Sequence, residues 1–219
     1  MRPNPIEERL HAAGALPVLR HPPADGDWYD LAALLIDEGG PVLELTTTLD
    51  AATDVIAALH ERFGEALTLG LGTILHAADV DRAVAAGARF VVSPHLDEKL
   101  VEAALAADVL ILPGTFTPTE VHRAIAAGAE AVKLFPAEPM GVAYLSALRG
   151  PFPDVRFYPT GGVTPEQVPA YLRAGARAVG LGSSLLGGAS WSVAALRPRL
   201  RALRAAIDEA RGGPSGDTG

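Results

Sequence analysis

Lys133 is one of only two lysines in a chain whose remaining sixteen basic residues are arginine. It stands inside the apolar run Ala131-Val132-Lys133-Leu134-Phe135, which Pro136 closes. A short apolar run bounded in this way reads as a strand of a parallel sheet, buried on both faces. An ammonium group there must find a partner or release its proton, because low dielectric disfavours the charged form. A lysine without its proton attacks carbonyl carbon, whereas arginine keeps its proton and has no such chemistry. The alternative role is structural: a strand-end lysine that snorkels to water or pairs with a carboxylate. The other lysine, Lys99 in Asp97-Glu98-Lys99-Leu100, reads as a solvated helix face.

Such a lysine needs a scaffold, and the chain supplies one by repetition. After a short helix around Ile6 to Ala13, strand-like apolar segments recur about every 24 residues, each followed by turn residues and an alanine-rich helical stretch. The predicted strands are Leu16–Arg20, Val42–Thr46, Leu67–Gly70, Arg89–Val92, Val109–Leu112, Ala131–Leu134, Val155–Tyr158 and Ala178–Leu181. Three helices end in Ala86-Gly87-Ala88, Ala127-Gly128-Ala129 and Ala174-Gly175-Ala176, where glycine suits a left-handed cap. Eight such units with right-handed crossovers predict an α/β fold, a single-domain (β/α)₈ TIM barrel over residues 1–211. An open doubly wound sheet is the alternative. The last helix is expected over Ala194–Arg211, and residues 212–219, rich in glycine, are expected to form a disordered tail.

In a barrel, chemistry gathers at the carboxyl ends of the strands. Glu44 lies between Leu43 and Leu45, so a period of two turns it to the face opposite those leucines. Lys133 is a candidate partner for it, able to exchange a proton with it; a purely structural ion pair is the other possibility. Thr160-Gly161-Gly162 and Gly182-Ser183 follow the seventh and eighth strands, where this barrel commonly holds phosphate on backbone amides. Arg20, at the end of the first strand, could supply local positive charge. His95 is either a rim residue or an ordinary loop histidine.

Composition narrows the field. The chain has 219 residues, 49% of them hydrophobic, no cysteine and a formal charge of −8. That charge argues against nucleic acid and anionic membrane as partners. No cysteine means no disulfide, iron–sulfur cluster or cysteine-held zinc. The six histidines show no metal-ligand spacing, and no dinucleotide or P-loop fingerprint occurs, so neither a metal nor a cofactor is expected. With no signal-peptide core at the start and no apolar run of membrane-spanning length, a soluble cytoplasmic protein is expected.

Taken together, these residues resemble the class I aldolase family of 2-keto-3-deoxy-6-phosphogluconate (KDPG) and 4-hydroxy-2-oxoglutarate (KHG) aldolase, with its phosphogalactonate relative. The resemblance runs from about Leu16 to Leu185. It is carried by Val42-Leu43-Glu44-Leu45-Thr46, Gly70-Leu71-Gly72-Thr73-Ile74-Leu75, Val92-Ser93-Pro94, Lys133-Leu134-Phe135-Pro136-Ala137-Glu138 and Tyr158-Pro159-Thr160-Gly161-Gly162-Val163. It implies that Lys133 forms the Schiff base and that Glu44 moves the protons. It further implies that Thr73 holds the keto-acid carboxylate, with Pro94, Phe135 and Thr160 near the substrate and Gly161, Gly162 and Ser183 on the phosphate. A homotrimer acting on a small phosphorylated keto acid is the implied assembly. Two positions depart from the gluconate-type pattern: Thr48 stands where those members have a carboxylate-binding arginine, and His95 where many have glycine. Arg20 is then the candidate replacement, as in galactonate-type members. A phosphosugar isomerase or epimerase on the same barrel, and a non-catalytic phosphosugar sensor, are the rival functions.

Overall fold

Among the described residues every pair of neighbouring strands runs parallel, which requires a crossover between one strand and the next. A computed structural model describes residues 4–24, 27–188 and 190–212. In order the elements are α1 (Pro5–Ala13), β1 (Ala15–Leu19), α2 (Trp28–Asp37), β2 (Val42–Thr46), α3 (Ala52–Phe63), β3 (Thr68–Gly72), α4 (Ala77–Ala85), β4 (Phe90–Val92), α5 (Glu98–Ala106), β5 (Leu110–Leu112), β6 (Gly114–Thr115), α6 (Pro118–Ala126), β7 (Ala131–Leu134), α7 (Gly141–Arg149), β8 (Arg156–Pro159), α8 (Val168–Arg173), β9 (Val179–Leu181), α9 (Ser183–Leu186) and α10 (Val193–Ala210). The strands form a six-stranded sheet, β5-β4-β3-β2-β1-β9, and a three-stranded sheet, β6-β7-β8. Among the described residues nine strands replace the eight expected, because Pro113, which has no N–H to donate, separates β5 from β6. Strand three runs on to Gly72 rather than ending at Gly70, and the last helix begins and ends one residue earlier than expected. Gly212 closes that helix with φ +102; the rest of the expected tail, from residue 213, lies outside the described residues.

The sheets are buried on both faces, and side-chain alternation sorts the core in two. Leu43, Leu45, Leu69, Leu71, Val91, Ile111, Val132, Leu134, Phe157 and Val179 pack among the helices. Leu16, Val18, Val42, Phe90, Val92, Leu110, Leu112, Ala131, Tyr158 and Ala178 make a second, inner cluster contributed by both sheets. Helix α1 plugs the amino end of this inner core with Ile6, Leu10 and Ala13. The three Ala-Gly-Ala ends are left-handed caps as expected: φ is +91, +101 and +95 at Gly87, Gly128 and Gly175. In each, the following alanine N–H returns to a carbonyl of the last turn, at 2.9, 3.1 and 3.0 Å. Among the described residues no helix is long and apolar enough to cross a membrane.

Candidate active site

Glu44 and Lys133 both take inner-face positions, between neighbours that belong to the helix-facing core, and are 1% and 3% exposed. Glu44 lies level with Val18 of β1 and Gly70 of β3. Lys133 lies level with Gly114 of β6 and Tyr158 of β8. Among the described residues the two candidate partners make no direct salt bridge, and Glu44 Oε1 has no hydrogen-bond partner. The two groups interact through space instead. Burial pushes the Glu44 carboxyl above its ordinary value, against the attraction of Lys133 and Arg20. Burial likewise pulls the Lys133 ammonium below its ordinary value; Glu44 opposes the shift and Arg20 adds to it. Both groups are therefore biased toward neutrality: a neutral amine is nucleophilic, and a carboxyl whose pKa is raised is a stronger base once ionised.

Glycines make room for this arrangement. A Cβ on Gly72 would overlap the Glu44 carboxylate, one on Gly70 the Phe90 ring, and one on Gly180 the Thr160 hydroxyl. Gly70-Leu71-Gly72 enters the sequence analysis as a family motif; its role as clearance for Glu44 and Phe90 emerges from the structure. The signal was available: glycines at alternate positions of one strand, beside the strand that carries the buried acid. Phe135, half-buried, places its ring 4.8 Å from Lys133 Nζ, and a Cβ on Gly161 would come within 2.8 Å of the same ring. Gly114, beside Lys133, lies under the Pro94–His95 backbone so closely that any side chain there would overlap it.

At the carboxyl ends of β1 to β3, the threonine run after Glu44 organises the loops. Thr46 Oγ1 donates to the Leu19 carbonyl at 3.2 Å and is 2.7 Å from Thr48 Oγ1. The hydroxyl of Thr48 is thus engaged with its own loop. Thr73 is half-buried in the left-handed region at φ +60, rare for a β-branched residue and a common mark of functional sites. Arg20 is exposed, with its guanidinium 3.2 Å from where a Gly182 Cβ would stand, and its charge reaches both Glu44 and Lys133.

Thr160, just past β8, bridges to Gly180 within β9, and Ser184 Oγ donates to the Val163 carbonyl at 2.7 Å. Gly161 and Gly162 turn the chain with φ +93 and +76. The backbone N–H groups of Ala137 and Glu138 donate to the carbonyls of Thr160 and Gly161, and the Glu138 carboxylate fills the space where a Gly162 side chain would be. Ser183, exposed, begins α9. His95 is exposed, and its Nδ1 is 3.2 Å from the buried Ser93 hydroxyl.

Residues 6–194 match the family described as "Aldolase: KDPG and KHG aldolase". The sequence is 40% identical to the 2-dehydro-3-deoxy-phosphogluconate aldolase of Treponema pallidum over 72% of this chain and 75% of that protein. It is 32% identical to the 2-dehydro-3-deoxy-6-phosphogalactonate aldolase of Escherichia coli over 69% and 74%. Among solved structures, the KDPG aldolase of Legionella pneumophila, with pyruvate captured at low pH as a covalent carbinolamine intermediate, superposes with a TM-score of 0.77. That protein is 26% identical, over 94% of this chain and 98% of its own.

Proposed function

The chain belongs to the KDPG and KHG aldolase family, carbon–carbon lyases, and on that premise we propose that it cleaves a 2-keto-3-deoxy-6-phospho sugar acid into pyruvate and glyceraldehyde 3-phosphate through a Schiff base on Lys133. The observation that carries this reading is a lysine buried on the inner face, held below its ordinary pKa by burial and free of a direct carboxylate contact. Family membership sets aside the isomerase and the sensor.

In the proposed cycle, neutral Lys133 adds to the C2 ketone, and loss of water leaves a protonated imine that withdraws electrons from C3. Glu44 takes the proton of the C4 hydroxyl, the C3–C4 bond breaks, and the aldehyde departs while the lysine holds pyruvate as its enamine. Protonation at C3 and addition of water to the imine return the amine and release pyruvate. Thr73 receives the keto-acid carboxylate. Phe135 and Pro94 border the reacting carbons, and Thr160 lies beside the chain of hydroxyls. Gly161, Gly162 and Ser183 take the phosphate, with Arg20 supplying the positive charge that Thr48 lacks.

The two sheets are, in this reading, arcs of one closed (β/α)₈ barrel. Pro113 forms one seam and the Thr160–Gly180 bridge the other. Following the strand register from Glu44 once round both seams arrives back on the second strand's line eight residues away, the stagger such a barrel needs. A cytoplasmic homotrimer is proposed as the working form; light scattering of the purified protein measures its mass.

Borohydride reduction in the presence of pyruvate tests the chemistry. A pyruvyl adduct on the peptide carrying Lys133 is expected, and its absence would overturn the reading. Pyruvate release from phosphogluconate-type, phosphogalactonate-type and unphosphorylated substrates then ranks the substrate class.

A further inference from the structure

Thr73 presents a problem that its own sequence does not solve. A β-branched residue held at φ +60 stays there only if its surroundings hold it. The dihedrals of a residue are set by the orientations of the two peptide planes on either side of it. For Thr73 those planes carry the carbonyls of Gly72 and Thr73, and one residue donates to both. The N–H of Thr47 donates to the Gly72 carbonyl at 2.9 Å, and the Thr47 hydroxyl donates to the Thr73 carbonyl at 2.8 Å. On the far side the Ile74 N–H anchors the turn to the Val92 carbonyl at 3.1 Å. Thr73 is itself only half-buried, which leaves it within reach of a ligand.

Thr47 itself is exposed, so core packing does not account for it. A water molecule could satisfy the Thr73 carbonyl equally well, but it would not restrain the peptide plane. We propose that Thr47 is a positioning residue: with its N–H and hydroxyl it clamps the two carbonyls flanking Thr73 and so keeps the Thr73 hydroxyl aimed at the substrate carboxylate. The proposal rests on the carboxylate-holding role given to Thr73 above.

Four variants test it: Thr47→Val, which keeps the shape and deletes only the donor, Thr47→Ser, which keeps the donor, Thr73→Ala, and the Thr47→Val/Thr73→Ala double variant. The readouts are KM and kcat for the keto-acid substrate and Ki for pyruvate as a competitive inhibitor, with thermal unfolding as a check on the fold. Thr47→Val is expected to raise KM and the pyruvate Ki about fivefold, the scale of one hydrogen bond. It should change kcat by less than about twofold, since binding rather than bond cleavage is affected. Thr47→Ser should restore both constants, and Thr47→Val should add nothing once Thr73 is alanine. An unchanged KM in Thr47→Val, or the same loss in both backgrounds, overturns the clamp while leaving Thr73 in its role. An unchanged KM in Thr73→Ala overturns that role and the clamp with it.

Discussion

The inner core holds two buried glutamates, and they live in opposite ways. Glu7 of α1, at the amino end, is 0% exposed yet saturated. Tyr158 donates its hydroxyl to Oε1 at 2.8 Å, Arg177 donates Nε and Nη2 to the two carboxylate oxygens at 2.8 Å each, and Arg156 stands 3.7 Å away. Burial alone would raise its pKa, but the hydrogen bonds from Arg177 and Tyr158 and the attraction of both arginines hold it below the ordinary value. Glu44, midway along β2, has a buried oxygen with no hydrogen-bond partner among the described residues and a raised pKa. A satisfied buried charge fixes α1 to the strands; an unsatisfied one is left ready to act on something that arrives. On the proposed function, stability sits at one end of the strands and chemistry at the other.

The sharpest way to break that contrast is at the lysine. Lys133→Met should lower kcat by roughly five orders of magnitude or more, the scale of losing a covalent nucleophile, and should leave the melting temperature equal or higher, because it removes a buried group whose charged form the fold disfavours. Activity retained, or a cooperative unfolding transition lost, would remove Lys133 from the site. Glu44→Gln should lower kcat by about 10²–10⁴-fold and stabilise the fold at neutral pH by about 1 kcal/mol. The sign follows from the raised pKa: the stability attached to the protonated acid is lost as pH rises from the ordinary value, 4.5, through the folded one.

Glu7→Gln is the mirror experiment. Removing one partner of a buried pair costs about 3–5 kcal/mol, and because Arg177 and Arg156 are 24% and 28% exposed, about 2–3 kcal/mol is expected here. Chemical denaturation measures it, while KM and kcat per folded enzyme should hold. With its folded pKa lowered, Glu7 stabilises fully above 4.5 and its contribution fades as pH falls through the folded value. The gap between wild type and variant should therefore close in acid; a gap independent of pH would mean that charge is not what Glu7 contributes. A smaller effect is expected from Arg20→Ala, whose exposed guanidinium should alter KM by about tenfold with kcat nearly unchanged. An unchanged KM would return Arg20 to the scaffold.

Much of this was written locally in the chain. The period of two around Glu44 and Lys133, the Ala-Gly-Ala caps and the ordered family motifs gave the strand positions, the inward faces and the candidate lysine, because backbone geometry alone turns such patterns into faces and ends. Local pattern failed where distance in sequence is long. The absent Lys133–Glu44 contact, the room that Gly72 gives to Glu44 and the seam at Pro113 depend on how strands from separate units come to lie side by side. Glu7 looked like one more acid in an N-terminal helix, since its partners Tyr158 and Arg177 stand 151 and 170 residues away. Sequence by itself determined which side chains face inward. Only the tertiary structure decided which of those buried charges are answered and which are left open, because that depends on the volumes and donors that other strands bring to the same few cubic ångströms.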